Sequence, residues 1–592
     1  MKHHMHFILS TSAAFLLAGT AHAQSLTQLS AFTTGTGSRV GSAEILAYTP
    51  ADNFTVLSTV GDNAGGSFGV QILSLSGAGA LSEKGFADFS SIFGAAANWN
   101  GASSVAADPL GRGFGAVSLI PAASSTTLGK VAFFDYRGAT ANGARNLVVL
   151  DVGFHPDSVR FSDDGMKLFV ANEGEFIPSS AVNAPGSISI IDLSSIAGIG
   201  NVSILTNANV STFDFQAANL GAGVTLAGLR NHSIAAVGTS GTFIASVPNF
   251  NDPLIFNDVN FHRGIEPEYI TQSGNKLFVS LQENNAVGVF DLTSSKWSAI
   301  HKLGTISQVI DASDRDGAGG TTPALIDDTV KGLPMPDTIA SYTVAGTTYF
   351  VTANEGDARP DDRDISRFGD IAGNDSMNPI LDPAFPVTQT GVRADGVLGR
   401  LNLSRLDGDT NADGKIDDPT MIGTRSFSIW NGTTGALVWD SGDSLLTSLE
   451  AILLSLDPTR HNMNNGLTSN FDTRSDDKGP EPEAITIGEI DGTPYAFVGL
   501  ERQNGLLMFD ISDPLAPFFV DYINSAGEGL VSPESLTFIP AADSPSGQPL
   551  LLSGYEVTNG IGVYSVSVSE PSSTALLAGG VLGWMGRRRR SR

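Results

Sequence analysis

The sequence predicts an all-β protein, built as a seven-bladed β-propeller with loop insertions. Three features lead to this prediction. Short runs rich in Val, Ile, Phe and Tyr are broken by Gly, Asn, Asp and Pro, and helical periodicity is scarce. The runs also recur as a phrase: an acidic residue beside a proline before an apolar strand, a second strand ending in an acidic residue, then a strand that usually starts with glycine.

The phrase occurs seven times. Its copies begin at Ala43, Ser103, His155, Glu266, Met335, Glu481 and Ser532. Each copy supplies three or four antiparallel strands that cannot bury both faces alone, so radial packing into a ring hides the apolar faces and limits exposed edges. The stretch Leu26–Phe32 is apolar enough to be the outer strand of the last blade and close the ring. Two stacked β-sandwich domains are the alternative architecture.

The predicted propeller body covers residues 26–566, with insertions at about 194–261 and 356–424. Residues 1–23 are predicted to be a secretory signal peptide. Lys2 precedes a short apolar run, and cleavage after Ala23 would leave Gln24 as the new terminus. A buried first helix is the alternative. A chain handled by the export machinery with no cysteine has no disulfides, so core burial, sheet closure and bound metal are the expected sources of its stability.

Residues 567–592 have the order of a sorting signal. Glu570 and Pro571 precede an apolar stretch, which is followed by a basic cluster. The cluster consists of Arg587, Arg588, Arg589 and Arg590. The apolar stretch is shorter than the roughly 20 residues that cross a bilayer, so we expect a short hydrophobic helix in transient contact with the inner membrane. This order resembles the PEP-CTERM signal that exosortases process in Gram-negative bacteria, with Ser569 at the place of the first proline. An ordinary tail anchor is the alternative.

The net charge of the chain restricts its partners. Asp and Glu number 61 against 33 Lys and Arg, for a net charge of −28; without the six positive charges of Lys2 and the five terminal arginines, the body has −34. Such a body repels nucleic acid and attracts divalent cations. Nucleic-acid binding is therefore excluded as an expected function.

The acids of each phrase are predicted to share one face. In an antiparallel pair, the start of one strand and the end of the next lie at the same end, so these acids should surround the mouth of the central channel. The pairs are Asp157 with Glu173, Glu266 and Glu268 with Glu283, Asp337 with Glu355, Glu481 and Glu483 with Glu501, and Glu534 with Glu556. Glu44 joins from the first copy, whereas the second has Ser104.

Crowded carboxylates must raise their pKa values, pair with cations or bind metal. Oxygen ligands without histidine or cysteine clusters favour Ca²⁺ or Mg²⁺, so Ca²⁺ is the predicted cofactor. The alternative is that the acids tie the blades together through salt bridges. Basic residues close in sequence include Arg359, Arg474, Lys478 and Arg502.

A second calcium candidate lies inside an insertion, at residues 407–418. Asp409, Asn411, Asp413 and Asp417 fit positions of an EF-hand-type loop, but Thr420 stands where its bidentate glutamate is expected. A solvated acidic turn is the alternative. Two histidines next to the acidic phrases, His155 and His262, are expected to be structural.

Several long phrases resemble the choice-of-anchor I family: HPDSVRFSDDGMKLFVANEGE, MPDTIASY with YFVTANEGDAR, and RSDDKGPEPEAI with YAFVGLERQNG. The resemblance implies a secreted bacterial β-propeller displayed on the cell surface or in the extracellular matrix, with extracellular polysaccharide as an expected partner. We expect a module that binds ligands or divalent cations at its acidic face. Some family members look similar to phytase-like and atypical alkaline phosphatase propellers. This makes a calcium-dependent phosphoesterase the alternative, with Arg359 and Arg502 binding the phosphate.

Overall fold

The computed structural model describes most of the predicted body of the chain. The described residues are 24–34, 42–61, 68–90, 99–175, 184–230, 261–316, 326, 328–358, 365–370, 380–381, 393–404, 407–411, 415–442 and 448–568. The predicted signal peptide, with Ala23, lies outside them, as do Glu570, Pro571, the cluster from Arg587 to Arg590 and the predicted hydrophobic helix.

Strands make up most of the described chain. The first twelve are β1 (Gln24–Thr33), β2 (Ser42–Thr49), β3 (Thr55–Val60), β4 (Gly69–Leu75), β5 (Leu81–Asp88), β6 (Trp99–Ala107), β7 (Phe114–Pro121), β8 (Lys130–Asp135), β9 (Asn146–Asp151), β10 (Pro156–Phe161), β11 (Lys167–Asn172) and β12 (Ser187–Asp192). The next twelve are β13 (Val210–Asp214), β14 (Pro267–Ser273), β15 (Lys276–Leu281), β16 (Ala286–Asp291), β17 (Lys296–Lys302), β18 (Ile306–Ile310), β19 (Asp328–Leu333), β20 (Ile339–Val344), β21 (Thr347–Ala353), β22 (Ile365–Arg367), β23 (Ile380–Leu381) and β24 (Asn402–Ser404). The last are β25 (Lys415–Ile416), β26 (Thr420–Ile422), β27 (Phe427–Asn431), β28 (Leu437–Asp440), β29 (Pro482–Ile490), β30 (Thr493–Leu500), β31 (Gly505–Asp510), β32 (Phe518–Asn524), β33 (Pro533–Ile539), β34 (Leu550–Tyr555) and β35 (Gly560–Val568).

Helices are few and short. The α-helical segments are α1 (Ala51–Phe54) and α2 (Leu449–Leu456). Single 3₁₀ segments occur at Asn142–Ala144, Ile199–Ile204, Asn207–Asn209, Ala217–Asn219, Phe261–Gly264, Phe368–Asp370, Thr468–Asn470 and Ala526–Glu528. Within the described ranges, neither α-helix has the length and apolar character needed to cross a membrane.

The strands form seven four-stranded antiparallel sheets in the described chain, which confirms the all-β prediction. We number them along the chain. Sheet 1 is β2–β5, sheet 2 is β6–β9, sheet 3 is β10–β13 and sheet 4 is β14–β17. Sheet 5 is β20, β21, β27 and β28, sheet 6 is β29–β32, and sheet 7 is β33, β34, β35 and β1.

The seven sheets follow one another around a propeller-like ring. The first strand of each sheet contacts the first strand of the next, and β33 of sheet 7 contacts β2 of sheet 1. Every junction between neighbouring sheets has its own cluster of buried apolar side chains. At the junction of sheets 7 and 1 the backbones come so close that a Cβ on Gly554 would lie 2.1 Å from the carbonyl oxygen of Ala43. Apolar burial between neighbours thus holds the ring together.

The N-terminal strand completes the last sheet, as the apolar stretch Leu26–Phe32 predicted. β1 pairs antiparallel with β35, from Gln24 opposite Val568 to Thr33 opposite Gly560. Sheet 7 is therefore built from both ends of the described chain. This pairing covers the outer edge of β35, which would otherwise be open to other chains.

The connections between sheets differ in part from the prediction. The stretch 194–261 contains β13, which is the fourth strand of sheet 3. Within 356–424, β26 joins β18 and β19 in a side sheet. The segment between sheets 4 and 5, which contains β18 and β19, and the insertion that contains β26 therefore form one accessory unit. The part between sheets 4 and 5 was not predicted. This unit has its own small apolar core, which includes Phe368, Leu401, Ile416 and Met421. The segment between sheets 5 and 6 contains α2, which was also not predicted.

Substitution of Trp297 tests how much apolar packing at the junction of sheets 3 and 4 contributes to stability. Its indole is fully buried, stacks on Phe215 with ring centroids 4.3 Å apart, and donates from Nε1 to the carbonyl oxygen of Asp214 at 3.0 Å. Trp297→Ala should lower the free energy of unfolding by about 3–5 kcal/mol, because it leaves a cavity in this junction. Urea unfolding followed by far-UV circular dichroism measures the loss. The control is Leu515→Ala, whose side chain is 72% exposed and should change stability by less than about 0.5 kcal/mol. Equal effects of both changes would contradict this account of the junction.

Candidate functional site

The predicted acids lie at the start of each first strand, after a backbone position of unusual geometry. His155, Met335, Glu481 and Ser532 have positive φ angles of 45°, 43°, 51° and 64°. Each precedes the proline that precedes or begins a first strand. Left-handed backbone in a non-glycine residue costs on the order of 1–3 kcal/mol and persists where the surrounding structure enforces it. In four sheets, the same strained backbone position therefore precedes the start of the first strand, where the acid lies.

Backbone hydrogen bonds bring the second acid of each phrase to the same end of the sheet. The amide of Glu173 donates to the carbonyl of His155 at 2.8 Å, and that of Glu501 donates to Glu481 at 2.8 Å. The amide of Glu556 likewise donates to Ser532 at 3.0 Å. The start of the first strand and the end of the second strand thus meet, as the antiparallel argument predicted.

Hydroxyl groups set the spacing of the acids between neighbouring sheets. Ser158, which follows Asp157, donates from Oγ to the backbone carbonyl of Glu268 in the next sheet at 2.6 Å. Thr338 donates in the same way to the carbonyl of Glu483 at 2.5 Å. At these two junctions, sheets 3 with 4 and 5 with 6, a hydroxyl next to one acid is therefore bonded to the backbone of an acid in the next sheet.

Three carboxylate trios result, in each of which oxygens of all three residues lie within 4.8 Å of one another. The trios are Glu173 with Glu268 and Glu283, Glu355 with Glu483 and Glu501, and Glu501 with Glu534 and Glu556. Each trio combines residues from two adjacent sheets. The remaining predicted acids act electrostatically on these trios: Glu266 and Asp157 on Glu173, Asp337 on Glu268, Glu483 and Glu534, and Glu44 on Glu534. The acids of sheets 3 to 7 thus surround a common opening.

Burial and mutual repulsion raise the pKa values of these carboxyls. Burial is the larger cause and the neighbouring carboxylates add to it at Glu173, Glu268, Asp337, Glu483 and Glu534. The pKa of Asp157 is also raised by burial, and that of Glu501 is raised to about 7.

In two pairs, Asp157 with Glu268 and Glu483 with Glu501, one carboxyl lies close enough to the other to affect its pKa. Such a pair needs a shared proton or a bound cation between its oxygens. The acid cluster therefore retains protons that isolated carboxyls would release.

Basic side chains compensate part of the charge, on the side of sheets 5 and 6. The fully buried Glu481 carboxylate contacts Arg474, Lys478 at 3.3 Å and Arg502 at 3.5 Å. It lies in an ion-pair network, as the salt-bridge alternative predicted, and not in a trio. Arg502 also pairs with Glu501 at 2.8 Å, and Lys478 pairs with Glu355. Arg359, the other predicted anion-binding residue, lies outside the described residues.

His155 belongs to the acid cluster, although the sequence suggested a structural role for it. Its Nδ1 atom lies 3.3 Å from Glu173 and 3.0 Å from Glu175. These three side chains form a further group of potential metal ligands. Glu175 was not predicted as a ligand: it ends the phrase KLFVANEGE, but only Glu173 was paired with the acid of the first strand. His262 lies elsewhere, near Asp214, and burial lowers its pKa.

The opposite side of the opening, toward sheets 1 and 2, holds a cavity of about 230 Å³. Glu44, Asp157 and Glu534 line it together with Tyr269 and Asn100. Burial, and then the negative charges of Asp337, Asp157, Glu534 and Glu483, raises the pKa of the Tyr269 phenol. Ser104 replaces the acid in sheet 2 and accepts a hydrogen bond from the amide of Val159 at 3.2 Å. The cavity thus forms where the repeat lacks its acid, and no sequence signal marked Tyr269 or Asn100.

The calcium-type loop at residues 407–418 is described only in part, and Asp413 lies outside the described residues. The carboxylate of Asp417 accepts hydrogen bonds from the amide of Thr410 at 2.9 Å and from the side chain of Asn411 at 3.0 Å. Among the described residues, none of the groups of three ligand atoms includes Asp409 or Asp417. Calcium binding at this loop stays a prediction.

Comparison with known families gives two matches. The family model described as "Choice-of-anchor I domain" matches residues 44–514, and the model described as "PEP-CTERM protein-sorting motif" matches residues 567–590. A PEP-CTERM motif marks proteins for export and cell-surface anchoring in Gram-negative bacteria, through an exosortase-type sorting system.

Two animal proteins are similar in part. "Gigasin-3a" of Magallana gigas is 26% identical over 176 residues, which are 27% of this chain and 62% of that protein. "Mesenchyme-specific cell surface glycoprotein" of Strongylocentrotus purpuratus is 30% identical over 215 residues, which are 31% of this chain and 27% of that protein. The chain thus spans less than two thirds of either relative.

Solved structures resemble the chain only in general form. "Kuenenia stuttgartiensis Hydrazine Synthase" has a TM-score of 0.41 at 11% identity, over 90% of this chain and 99% of that one. The "WD40 domain from Toxoplasma gondii coronin" has a TM-score of 0.40 at 8% identity, over 93% and 90% of the two chains. Similarities this low convey nothing about a ligand or a reaction.

The raised pKa values predict how stability depends on pH without divalent cations. Above the ordinary glutamate pKa of 4.5, the unfolded chain releases protons that the folded acid cluster retains. The folded state then binds more protons, so stability should fall as the pH rises from about 4.5 through the raised pKa values. Thermal unfolding with chelator should give a lower Tm at about pH 8 than at about pH 5.

Glu483→Gln isolates the contribution of the acid cluster, because glutamine is neutral at every pH. Between about pH 5 and about pH 8, the Tm of this variant should fall less than the Tm of the wild type. The matched control is Glu489→Gln, at the exposed far end of the same strand β29, which should keep the wild-type pH dependence. If Glu483→Gln and Glu489→Gln follow identical pH profiles, the crowding of carboxyls at the opening is not the cause.

Proposed function

The chain belongs to the choice-of-anchor I family and has a PEP-CTERM sorting motif, and on this basis we propose that it is an exported, surface- or matrix-associated seven-bladed β-propeller that binds divalent cations at the acidic opening of its ring. The single observation that supports this most is the set of three carboxylate trios contributed by adjacent sheets. Ligand binding through the cation, with extracellular polysaccharide as the expected partner, would fit a protein anchored at the cell surface.

Charge supports cation binding over a purely structural role for the acids. Glu481 has three basic partners, but Glu268 and Glu534 are surrounded chiefly by other carboxyls, which raise their pKa values in addition to burial. A structural salt-bridge network would place a base beside each acid. A divalent ion bound at a trio would replace the shared protons and would also remove the repulsion between the carboxylates.

Calcium is the proposed ion because of the donor set. The trios offer carboxylate oxygens alone, and Ca²⁺ takes six to eight oxygen ligands in flexible geometry, at about 2.3–2.6 Å. Oxygens up to 4.8 Å apart are compatible with ligands on opposite sides of such an ion. Magnesium demands a tighter octahedral shell and keeps several waters.

Calcium should stabilise the folded protein by mass action. At a free calcium concentration of 100 times the dissociation constant, the gain is about 2.7 kcal/mol. Differential scanning calorimetry with calcium and with chelator measures it as a rise in Tm. Because metal must displace the retained protons, the rise should be larger at about pH 8 than at about pH 5.

Three variants locate the calcium site. Glu483→Gln should reduce the rise in Tm, whereas the control Glu489→Gln should not. Asp417→Asn tests the loop of the accessory unit and should leave unchanged the rise in Tm that calcium causes at the ring opening. A calcium effect that is absent in wild type, or that disappears in Asp417→Asn and persists in Glu483→Gln, would contradict binding at the ring opening.

A calcium-dependent phosphoesterase is the second candidate function, and the position of Arg502 favours it. This guanidinium lies 2.8 Å from Glu501, at the border of two trios. A metal ion held there would polarise a phosphoryl group, and Arg502 would neutralise the remaining charge. Against this reading, Arg502 is already paired with Glu501 and Glu481.

Hydrolysis of an aryl phosphate separates the two functions. A phosphoesterase releases the phenol with calcium, stops with chelator and loses kcat/KM in Arg502→Lys, because lysine lacks the bidentate fork. The exposed Arg160, paired with Asp163 at 3.1 Å, gives the matched control Arg160→Lys. No release under either condition removes the enzymatic candidate for this substrate class and leaves cation binding as the function.

A further inference from the structure

A second group of potential metal ligands lies outside the ring opening, where the accessory segments meet. Asp311 follows β18, and His461 and Asp472 belong to the connection between sheets 5 and 6. All three side chains are buried, and one ligand atom of each lies within 4.8 Å of the others. None was a candidate from the sequence, because up to 161 positions separate them and no motif links them.

The three side chains are held in place by local contacts. Nε2 of His461 and Oδ2 of Asp311 lie 3.1 Å apart, which is a hydrogen-bond distance, and the ligand atoms of all three residues lie within 4.8 Å of one another. The amide of Asp472 donates to the carbonyl of His461 at 2.9 Å, and Ser475 donates from Oγ to Asp472 at 2.6 Å. Two ligand atoms bound to one transition-metal ion lie about 3.0–3.5 Å apart, so an ion bound to Asp311 and His461 would replace the shared proton with little movement of the side chains.

Two buried polar atoms at the edge of this group lack hydrogen-bond partners in the described part of the chain. The imidazole of His461 is fully buried, and its Nδ1 atom has no hydrogen-bond partner among the described residues. The side-chain oxygen of the adjacent, fully buried Asn462 also has none there. A buried polar atom left without a partner costs about 1–3 kcal/mol, so these two atoms indicate an ordered ion or water next to the group.

Arg425 borders the group, but it donates to the backbone carbonyl of Asp311 and not to a carboxylate of the group. Arg425 pairs with Glu450 at 2.9 Å, and both side chains are almost fully buried. This pair is neutral in sum, and Glu450 also accepts from Asn462 at 2.8 Å and from the amide of Asp311 at 2.8 Å. The geometry thus assembles two carboxyls and an imidazole in a closed site.

We propose that Asp311, His461 and Asp472 bind one divalent transition-metal ion, of the class of Zn²⁺, that joins the accessory unit to the connection between sheets 5 and 6. One imidazole nitrogen and two carboxylate oxygens suit a borderline ion such as Zn²⁺ better than Ca²⁺, which prefers oxygen alone. Complete burial of the ligands makes the role structural. This site is independent of the calcium sites proposed at the ring opening.

Zinc binding by the metal-free mature chain tests the proposal, with saturating calcium present to occupy the ring opening. Isothermal titration with Zn²⁺ should show a site that His461→Gln and Asp472→Asn each weaken by at least roughly tenfold. The matched controls are His262→Gln, a half-buried histidine away from the cluster, and Glu483→Gln at the opening. Both should bind Zn²⁺ as wild type does.

Anomalous diffraction at the zinc edge keeps the test independent of variant folding. Wild-type crystals grown with Zn²⁺ should show a peak about 2.0–2.2 Å from the carboxylate oxygens and the imidazole nitrogen. A wild-type chain without that peak would overturn the proposal. The same holds if His461→Gln binds Zn²⁺ as tightly as wild type, or if Glu483→Gln alone abolishes binding.

Discussion

Carboxylates that repel one another are held together at the opening of the ring, and the proposed cation binding follows from the need to relieve that repulsion. Each sheet brings its first strand to the centre, so a residue repeated at the start of the strands is repeated around one opening. The strained backbone at His155, Met335, Glu481 and Ser532 shows that the fold imposes this placement at a cost. The apolar junctions between sheets provide the stability that makes the cost tolerable.

The sequence predicted the features that repeat and missed those that do not. The alternation of apolar strands and acids identified the first and second strands of the sheets, and the apolar stretch Leu26–Phe32 identified β1 as the closing strand. The strand β13 was not predicted because its sequence, VSTFD, is short and mostly polar, and because 17 residues separate it from the preceding strand. The helix α2 escaped because eight residues inside a polar connection give little periodicity.

In the candidate site, too, the sequence predicted what the repeat determines and missed what depends on contacts between sheets. Pairing geometry was enough to bring Glu501 beside Glu481 in one sheet, but contacts between sheets required coordinates. Only these show that Glu481 is enclosed by Arg474, Lys478 and Arg502, while Glu501 faces Glu483 and Glu534. Tyr269 and the group of Asp311, His461 and Asp472 arise from tertiary packing alone, so no local pattern could reveal them.

The most direct test of the account is a crystal structure of the mature chain grown with calcium near pH 8, with an anomalous map recorded for calcium. The account predicts peaks about 2.3–2.6 Å from carboxylate oxygens of Glu355, Glu483 and Glu501 or of a neighbouring trio. A map with no calcium at the ring opening, and with the carboxyls hydrogen bonded to each other as neutral pairs, would contradict it.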